Sequence, residues 1–142
     1  MFSTLRTMHL TMGTTCKMAD QSVVRATRSY LEKRAALRRD RLHVRYLEAQ
    51  RQAVAIVDRV ARLHHPRRIY QWGSLLDERH FNENSDIDLA LEGLVDAAQF
   101  FAVVRDAETL TDMPLDIVEL EKVDPLQAES IRRRGRLVYE RT

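Results

Sequence analysis

Three aspartates occupy positions from which they could act on one metal ion. Asp86 and Asp88 stand one residue apart at the head of an apolar run, "SDIDLAL", and Asp116 opens a second run, "PLDIVEL". Residues i and i+2 of a strand point to the same face, so Asp86 and Asp88 project together if the first run is a strand. If the two runs pair, Asp116 joins them. Three carboxylates suit Mg²⁺, and two such ions could activate an attacking oxygen and stabilise the leaving one.

A Gly-Ser pair precedes these aspartates by one polar loop. Gly73 directly follows the β-prone run "RIYQW", where a glycine lets the backbone approach a ligand and adopt unusual dihedral angles. Ser74 adds a hydroxyl, and the backbone N–H groups that follow can hold phosphate oxygens. Neither the Gly-Ser pair nor Asp-x-Asp is specific alone. Their order along strand, loop, strand, helix and strand predicts phosphoryl or nucleotidyl transfer from a nucleoside triphosphate.

The apolar pattern predicts the elements that must position these groups. Residues 20–64 contain no Gly or Pro and favour helix. They form either two helices that break near Asp40 or one long helix whose first half is solvated. After Pro66 the pattern predicts a fold of the α/β (α+β) class, with a small mixed sheet, flanking helices and an N-terminal helical extension. The predicted strands are "RIYQW", "DIDLALEGL", "LDIVELEKV" and "RLVYE", and the later helices are "VDAAQFFAVVRDAETL" and "DPLQAESIRRRG".

Length and composition bound the class of protein. The 142 residues predict one compact domain, divided into a disordered leader (1–19), the helical extension (20–65) and a catalytic region (66–142). Cys16 is the only cysteine, so no internal disulfide can form and a reducing, cytoplasmic location is expected. No apolar run approaches the roughly 18–20 residues of a membrane span.

Charge is divided unevenly along the chain. Residues 1–68 hold 15 Lys or Arg against 5 Asp or Glu, a charge of +10, and residues 69–142 hold 8 against 16, a charge of −8. These sum to the net charge of +2. Either the basic part binds nucleic acid or an acidic partner, or it packs beside an acidic site. A solvated face is the favoured interpretation of the arginines, and a nucleic-acid partner is disfavoured.

The arrangement resembles the minimal nucleotidyltransferases of the DNA polymerase β-like superfamily. The resemblance covers residues 68–141, with its core in "GSLLDERHFNENSDIDLAL" and "PLDIVEL". It implies that Gly73 and Ser74 bind triphosphate, and that Asp86, Asp88 and Asp116 are catalytic and bind two Mg²⁺ ions, with ATP as substrate. In polymerase-type members the third carboxylate helps to activate the attacking hydroxyl.

The resemblance also implies a partner. Many minimal members are antitoxins of a small helical toxin ribonuclease of the HEPN group, and some transfer AMP from ATP to a tyrosine of that toxin. Residues 1–68 are predicted to form only helix, and the residues after Asp116 one helix and one strand, so a second domain that holds a small acceptor is not expected. This favours a protein acceptor and a hetero-oligomer. The alternatives are an antitoxin that neutralises its toxin by binding alone, and a nucleotidyltransferase that acts on a small molecule.

Two departures from the family pattern lie in the loop. Eleven residues, 75–85, separate Gly-Ser from the first aspartate, where the family usually has ten. The chain reads "GSLLDER" where the family often reads "GSxARG", so Arg79 is a candidate to replace the missing phosphate-binding arginine from a shifted position.

Other ionisable residues are weaker candidates. Glu119 and Glu121 are predicted to face solvent, and His80 to be a surface residue of the loop. The cluster Arg132, Arg133, Arg134 and Arg136 is predicted to complement a helix dipole, with a phosphate or acidic-partner contact as the alternative.

Overall fold

A computed structural model describes the backbone of residues 16–142 and the side chains of residues 20–142. Residues 1–15 of the predicted leader lie outside the described residues, and the first helix already begins at Cys16. The element order confirms the predicted mixed α/β arrangement. The elements are α1 (Cys16–His64), β1 (Arg68–Trp72), β2 (Ile87–Glu92), α2 (Ala97–Glu108), β3 (Leu115–Glu119), α3 (Pro125–Arg134) and β4 (Arg136–Glu140).

Helix α1 runs without a break for 49 residues, so the single long helix is the alternative that the structure adopts. It ends where Pro66 disfavours helical dihedrals in the residue before it. That residue, His65, takes a positive φ of 48°. The described residues up to Arg39 form one compact unit, and Asp40–Thr142 form a second. No helix in the described part of the chain is long and apolar enough to cross a membrane.

Four strands form one mixed sheet in the order β3-β2-β1-β4. Strand β1 pairs antiparallel with both β2 and β4, whereas β2 and β3 are parallel. Parallel neighbours need a long crossover, and the twelve-residue α2 supplies it. Asp96 caps α2 and Asp124 caps α3, and Pro125 occupies the first turn of α3.

The two faces of the sheet carry separate apolar clusters because side chains alternate along each strand. Ile87, Leu89 and Leu91 of β2 pack with α1 and α2 in the larger cluster. Ala90 faces the opposite way and packs with α3. The apolar residues of α1 in the larger cluster are Ala49, Ala53, Ile56 and Val60, all from the unit that begins at Asp40. The face that carries α3 is therefore also the face toward which Asp88 projects.

A buried carboxylate joins α3 to the end of β2. Glu92 is only 2% exposed, and its oxygens lie 2.6 Å from Arg132 Nε, 3.4 Å from Arg67 Nη2 and 3.6 Å from Arg68 Nη1. Burial alone would raise the pKa of Glu92, but the hydrogen bond from Arg132 and the charges of all three arginines lower it. The ion pair between Arg132 and Glu92 therefore links α3 to β2.

The prediction that Glu119 faces solvent is wrong. Its side chain is buried at the end of β3, and Lys122 Nζ lies 2.6 Å from its carboxylate. Strand β3 ends at Glu119, so the alternation assumed through Val123 stops there. Glu121 is exposed, as predicted, and accepts a hydrogen bond from the Gly93 N–H at 2.8 Å.

Candidate active site

The three predicted aspartates lie at one end of the β2–β3 pair. Asp88 and Asp116 are direct neighbours in the parallel register, and Asp86 immediately precedes β2. The neighbours Ile87 and Leu89 are buried in the cluster on the opposite face, as the two-residue period predicts. All three aspartates are half-buried, and none forms an ion pair with another described residue.

Burial and the neighbouring carboxylates both disfavour the ionised form of Asp88. Burial raises the pKa of Asp88 to about 6, and the negative charges of Asp116 and Asp86 act in the same direction. Within the described residues, no three His, Cys, Asp or Glu side chains already lie close enough together to hold a metal ion. The donor chemistry nevertheless suits a hard divalent cation, because the site offers carboxylate oxygens without a compensating cationic side chain.

Because Asp88 is harder to ionise in the folded protein, its charge costs stability. A raised pKa favours folding below the unfolded value near pH 4, and that contribution is lost as pH rises through about 6. We therefore expect Asp88→Asn to unfold at a higher temperature than the wild-type protein at pH 7.5 in EDTA. At pH 4 the two melting temperatures should agree, and a difference that does not change with pH would contradict this account.

Gly73 provides room for the carboxylate of Asp88. The glycine has a φ of +74°, and a Cβ built on it would lie 2.0 Å from Asp88 Oδ2 and 2.7 Å from its Cγ. A side chain at position 73 would therefore displace Asp88, quite apart from the strain of the left-handed backbone. The Gly-Ser pair and the Asp-x-Asp pair, distant in sequence, form one structural unit.

Gly73→Ala is expected to damage both the fold and the site. The positive φ alone costs about 1–3 kcal/mol of unfolding free energy, and the new methyl group moves the Asp88 carboxylate. Denaturant unfolding and Mg²⁺-dependent thermal stabilisation would measure the two losses. Gly93→Ala is the matched control, since Gly93 has a φ of +78° and its Cβ would meet Arg67 Cβ at 2.7 Å, away from the aspartates. The Gly93→Ala control should lose stability and keep its stabilisation by Mg²⁺. If both variants lost that stabilisation equally, the space at Gly73 would not be what positions the Asp88 carboxylate for the metal.

A cavity of about 640 Å³ opens beside Gly73 and Ser74. Its volume lies within the range of small-molecule sites. Residues from the loop line one side, and residues from α3 line the other: Trp72, Gly73, Ser74, Leu76, Asp77, His80, Gln127, Ser130, Ile131, Arg134 and Gly135. The contribution of α3 could not be located from the sequence, because it depends on how α3 packs across the sheet.

The two ends of the loop are tied together by serine side chains. The Ser74 hydroxyl donates a hydrogen bond to Ser85 Oγ at 2.9 Å, and Ser85 Oγ also accepts one from the Asn82 N–H at 2.9 Å. Ser85 is buried and directly precedes Asp86. This bridge fixes the distance between the cavity and the aspartates.

Helix α1 holds the loop from beneath through three residues on one face. Gln50 Nε2 donates to the Leu75 carbonyl oxygen at 2.6 Å, Tyr46 packs edge-on against Phe81 with ring centroids 5.4 Å apart, and His43 Nδ1 lies 2.6 Å from Glu78 Oε1. Positions 43, 46 and 50 recur at helical spacing, so they meet the loop together. Part of the predicted helical extension thus shapes the candidate site.

Arg79 is paired with Asp77 rather than turned toward the cavity. Its guanidinium donates to the Asp77 carboxylate at 2.7–3.1 Å, and the Arg79 side chain is 85% exposed. Hydrogen bonds from the Arg79 side chain and backbone lower the pKa of Asp77 to about 2. Asp77 therefore lines the cavity as a carboxylate, and the guanidinium of Arg79 balances its negative charge.

The cluster of arginines near the C-terminus divides by role. Arg132 pairs with buried Glu92, and Arg134 lines the cavity beside Gly73, while Arg133 is exposed. Arg136 lines a second cavity of about 780 Å³ between α1 and β4, which contains none of the predicted site residues. The larger cavity is therefore separate from the aspartates and from the Gly-Ser pair.

Sequence comparison assigns the family. The model of the family described as "Polymerase beta, Nucleotidyltransferase" matches residues 55–142, more than half of the chain. The chain therefore belongs to the polymerase β nucleotidyltransferase family and carries a nucleotidyltransferase domain. No curated protein sequence matches it significantly.

Two solved structures of toxin–antitoxin systems are similar to this chain. A toxin–antitoxin crystal structure with AMP-PNP has a TM-score of 0.51 at 19% identity, covering 63% of this chain and 74% of that one. A MntA-HepT toxin–antitoxin structure has a TM-score of 0.49 at 18% identity, covering 65% of this chain and 73% of that one. At 19% identity the likeness to the first structure concerns the fold alone.

Proposed function

We propose that this protein is a Mg²⁺-dependent nucleotidyltransferase that transfers AMP from ATP to a partner toxin, a small helical ribonuclease of the HEPN group, and thereby neutralises it. One observation carries the proposal: the Asp88 carboxylate, in register with Asp116, lies against Gly73, and Gly73 also lines the cavity of about 640 Å³. Family membership supports the reaction class. Asp86, Asp88 and Asp116 would be the catalytic and metal-binding residues.

The carboxylates fit the metal that the family implies. Asp88 resists ionisation because it is partly buried beside negative neighbours, and a divalent cation removes that penalty. Bound Mg²⁺, as one or two ions, would neutralise the triphosphate and stabilise the departing pyrophosphate. Asp86, Asp88 and Asp116 would hold it through oxygen ligands, while Gly73 leaves space for the Asp88 carboxylate.

The proposed reaction is an in-line displacement at the α-phosphorus of ATP. An acceptor oxygen forms a new P–O bond, the bond between the α-phosphorus and the bridging oxygen breaks, and pyrophosphate leaves with that electron pair. The acceptor's proton passes to Asp116 and then to solvent. Gly73 and Ser74 would hold the phosphates through backbone N–H groups.

The acceptor is proposed to be a protein. The toxin–antitoxin structure with AMP-PNP has a similar fold and contains an analogue of ATP. In this chain the aspartates and the cavity lie at the end of the sheet, and α3 and the loop complete the wall. A partner surface would therefore present the attacking hydroxyl, tyrosine being the expected residue.

The experiment that tests this function uses the toxin encoded beside the gene. The purified pair is incubated with ATP and Mg²⁺, and intact mass spectrometry should detect one added AMP on the toxin. Absence of the adduct, together with neutralisation that survives Asp86→Ala plus Asp88→Ala, would show an antitoxin that acts by binding alone. AMP attached to a small molecule instead of the toxin would identify a nucleotidyltransferase that acts on small molecules.

Arg134 is expected to contact the triphosphate, because it is the arginine that lines the cavity beside Gly73 and Ser74. Replacing it with alanine should weaken binding of ATP by about tenfold, the value of one charge-assisted hydrogen bond. Calorimetric titration with a non-hydrolysable ATP analogue measures this. Arg133→Ala is the matched control and should bind normally. If Arg79→Ala weakens binding and Arg134→Ala does not, Arg79 is the phosphate-binding arginine after releasing Asp77.

A further inference from the structure

The first compact unit exposes large apolar side chains along one helix. From Asp20 to Arg39 every side chain is exposed except Ala36, which is half-buried. Val23, Tyr30 and Leu37 are 62%, 59% and 57% exposed, and Val24 and Leu31 beside them are also exposed. We call these five residues the apolar seam. An unpartnered apolar row is unfavourable in water, and helices gain most of their stability by packing such a face.

The spacing of the seam matches helix-to-helix packing. Val23, Tyr30 and Leu37 recur every seven residues, which is two turns of helix, so they lie on one side. At 1.5 Å per residue the row is about 21 Å long. This is the length over which another helix can insert its own apolar residues between those of α1.

Cations border the seam and define the charge of the occupant. Residues 20–39 contain six Lys or Arg and two Asp or Glu, a charge of +4. Arg28 follows Val24 by four residues and Arg34 follows Tyr30 by four, so both lie on the side of the seam. The Arg34 guanidinium lies 5.7 Å from the centre of the Tyr30 ring.

We propose that this face of α1 binds an amphipathic helix of a partner protein whose apolar stripe is flanked by glutamate or aspartate. A second copy of this chain would oppose one +4 segment with another, and like charges at such an interface are unfavourable. A nucleic acid would pair with the arginines but would leave the apolar seam without a function, since phosphate contacts need charge alone. An acidic amphipathic helix satisfies both features. The surface does not use the nucleotide cavity, so the proposal stands independently of the proposed function.

The test uses the full-length protein and a synthetic helical peptide of four heptads, about 28 residues. The peptide carries leucine at the a and d positions and glutamate at e and g; the matched peptide carries lysine at e and g. Fluorescence anisotropy of the labelled peptides measures affinity. We expect the acidic peptide to bind at least about tenfold more tightly than the basic one. Equal affinities, or no binding of the acidic peptide, would overturn the proposal.

A seam variant separates packing from charge. Val23→Ser with Tyr30→Ser and Leu37→Ser keeps every arginine and should weaken the acidic peptide by at least about tenfold. An Arg28→Glu plus Arg34→Glu variant should lose the preference for the acidic peptide. Circular dichroism and an unchanged melting temperature establish that each variant is folded.

Two further measurements identify a different occupant. The first is the affinity of duplex RNA or DNA. The face would be assigned to nucleic acid if the duplex bound the seam variant and the wild type equally tightly, and bound the wild type more tightly than the acidic peptide does. Self-association of the wild-type chain that disappears in the seam variant would assign it to a second copy. Either result overturns the acidic-helix proposal.

Discussion

Asp88→Asn should lower the rate of nucleotidyl transfer by about three orders of magnitude, since loss of metal-ion catalysis costs several kcal/mol of transition-state stabilisation. The substitution keeps the shape of the side chain and removes its charge. We expect Mg²⁺ to raise the melting temperature of the wild type and not that of this variant. Transfer is measured from radiolabelled ATP, and stabilisation by thermal unfolding with and without Mg²⁺.

The matched control for that variant is Asp112→Asn. Asp112 is exposed and lies three positions before β3 begins. It carries the same charge as Asp116, but it is not part of the strand that pairs with β2. Its transfer rate and its response to Mg²⁺ should equal those of wild type. Retention of full transfer activity in Asp88→Asn would remove this residue from the catalytic site.

Glu92→Ala is expected to lower the free energy of unfolding by about 3 kcal/mol, near the lower end for breaking a buried ion pair, because the arginine partners are partly exposed. The variant removes the carboxylate that lies 2.6 Å from Arg132 Nε and should loosen α3 against β2. Denaturant unfolding at pH 7 measures the loss.

The pH dependence of Glu92→Gln gives a second readout. A lowered pKa stabilises the folded state above the unfolded value near pH 4.5, and that stability disappears as pH falls through the folded pKa. The difference between wild type and Glu92→Gln should therefore shrink in acid. Glu121→Gln is the control, because Glu121 is 47% exposed and should cost less than about 1 kcal/mol. Equal losses of unfolding free energy in Glu92→Gln and Glu121→Gln would contradict the conclusion that the buried ion pairs of Glu92 stabilise the fold.

Periodicity predicted that Asp86 and Asp88 share one face of the sheet, and the structure meets the condition under which Asp116 joins them, the pairing of the two strands. The two-residue period of a strand places Asp86 and Asp88 on the face opposite Ile87, and the parallel pairing of β2 with β3 brings Asp116 beside Asp88. The alternation along a strand depends only on neighbouring residues, so the sequence is enough to predict it. Caps such as Asp124 with Pro125 are equally local, which is why the start of α3 was predicted correctly.

Features that depend on distant packing were not predicted. The sequence offered Arg79 as a candidate phosphate contact, and in the structure Arg79 pairs with Asp77 two positions earlier. The packing of α3 across the sheet brings Arg134 to the cavity. Glu92 is buried against Arg132 of α3, which follows it by 40 positions. Glu119 is buried where β3 ends, and its partner Lys122 follows it by only three positions. The contacts from Gln50 to the loop link positions 25 residues apart and leave no local signal.

The most direct measurement compares ATP labelled at the α-phosphorus with ATP labelled at the γ-phosphorus, each incubated with the protein, its partner and Mg²⁺. Nucleotidyl transfer predicts that α-label becomes covalently attached to the acceptor while γ-label is released as pyrophosphate. Asp88→Asn should attach neither. Attachment of γ-label, or of α-label at an equal rate in Asp88→Asn, would contradict the central claim that these aspartates carry out nucleotidyl transfer.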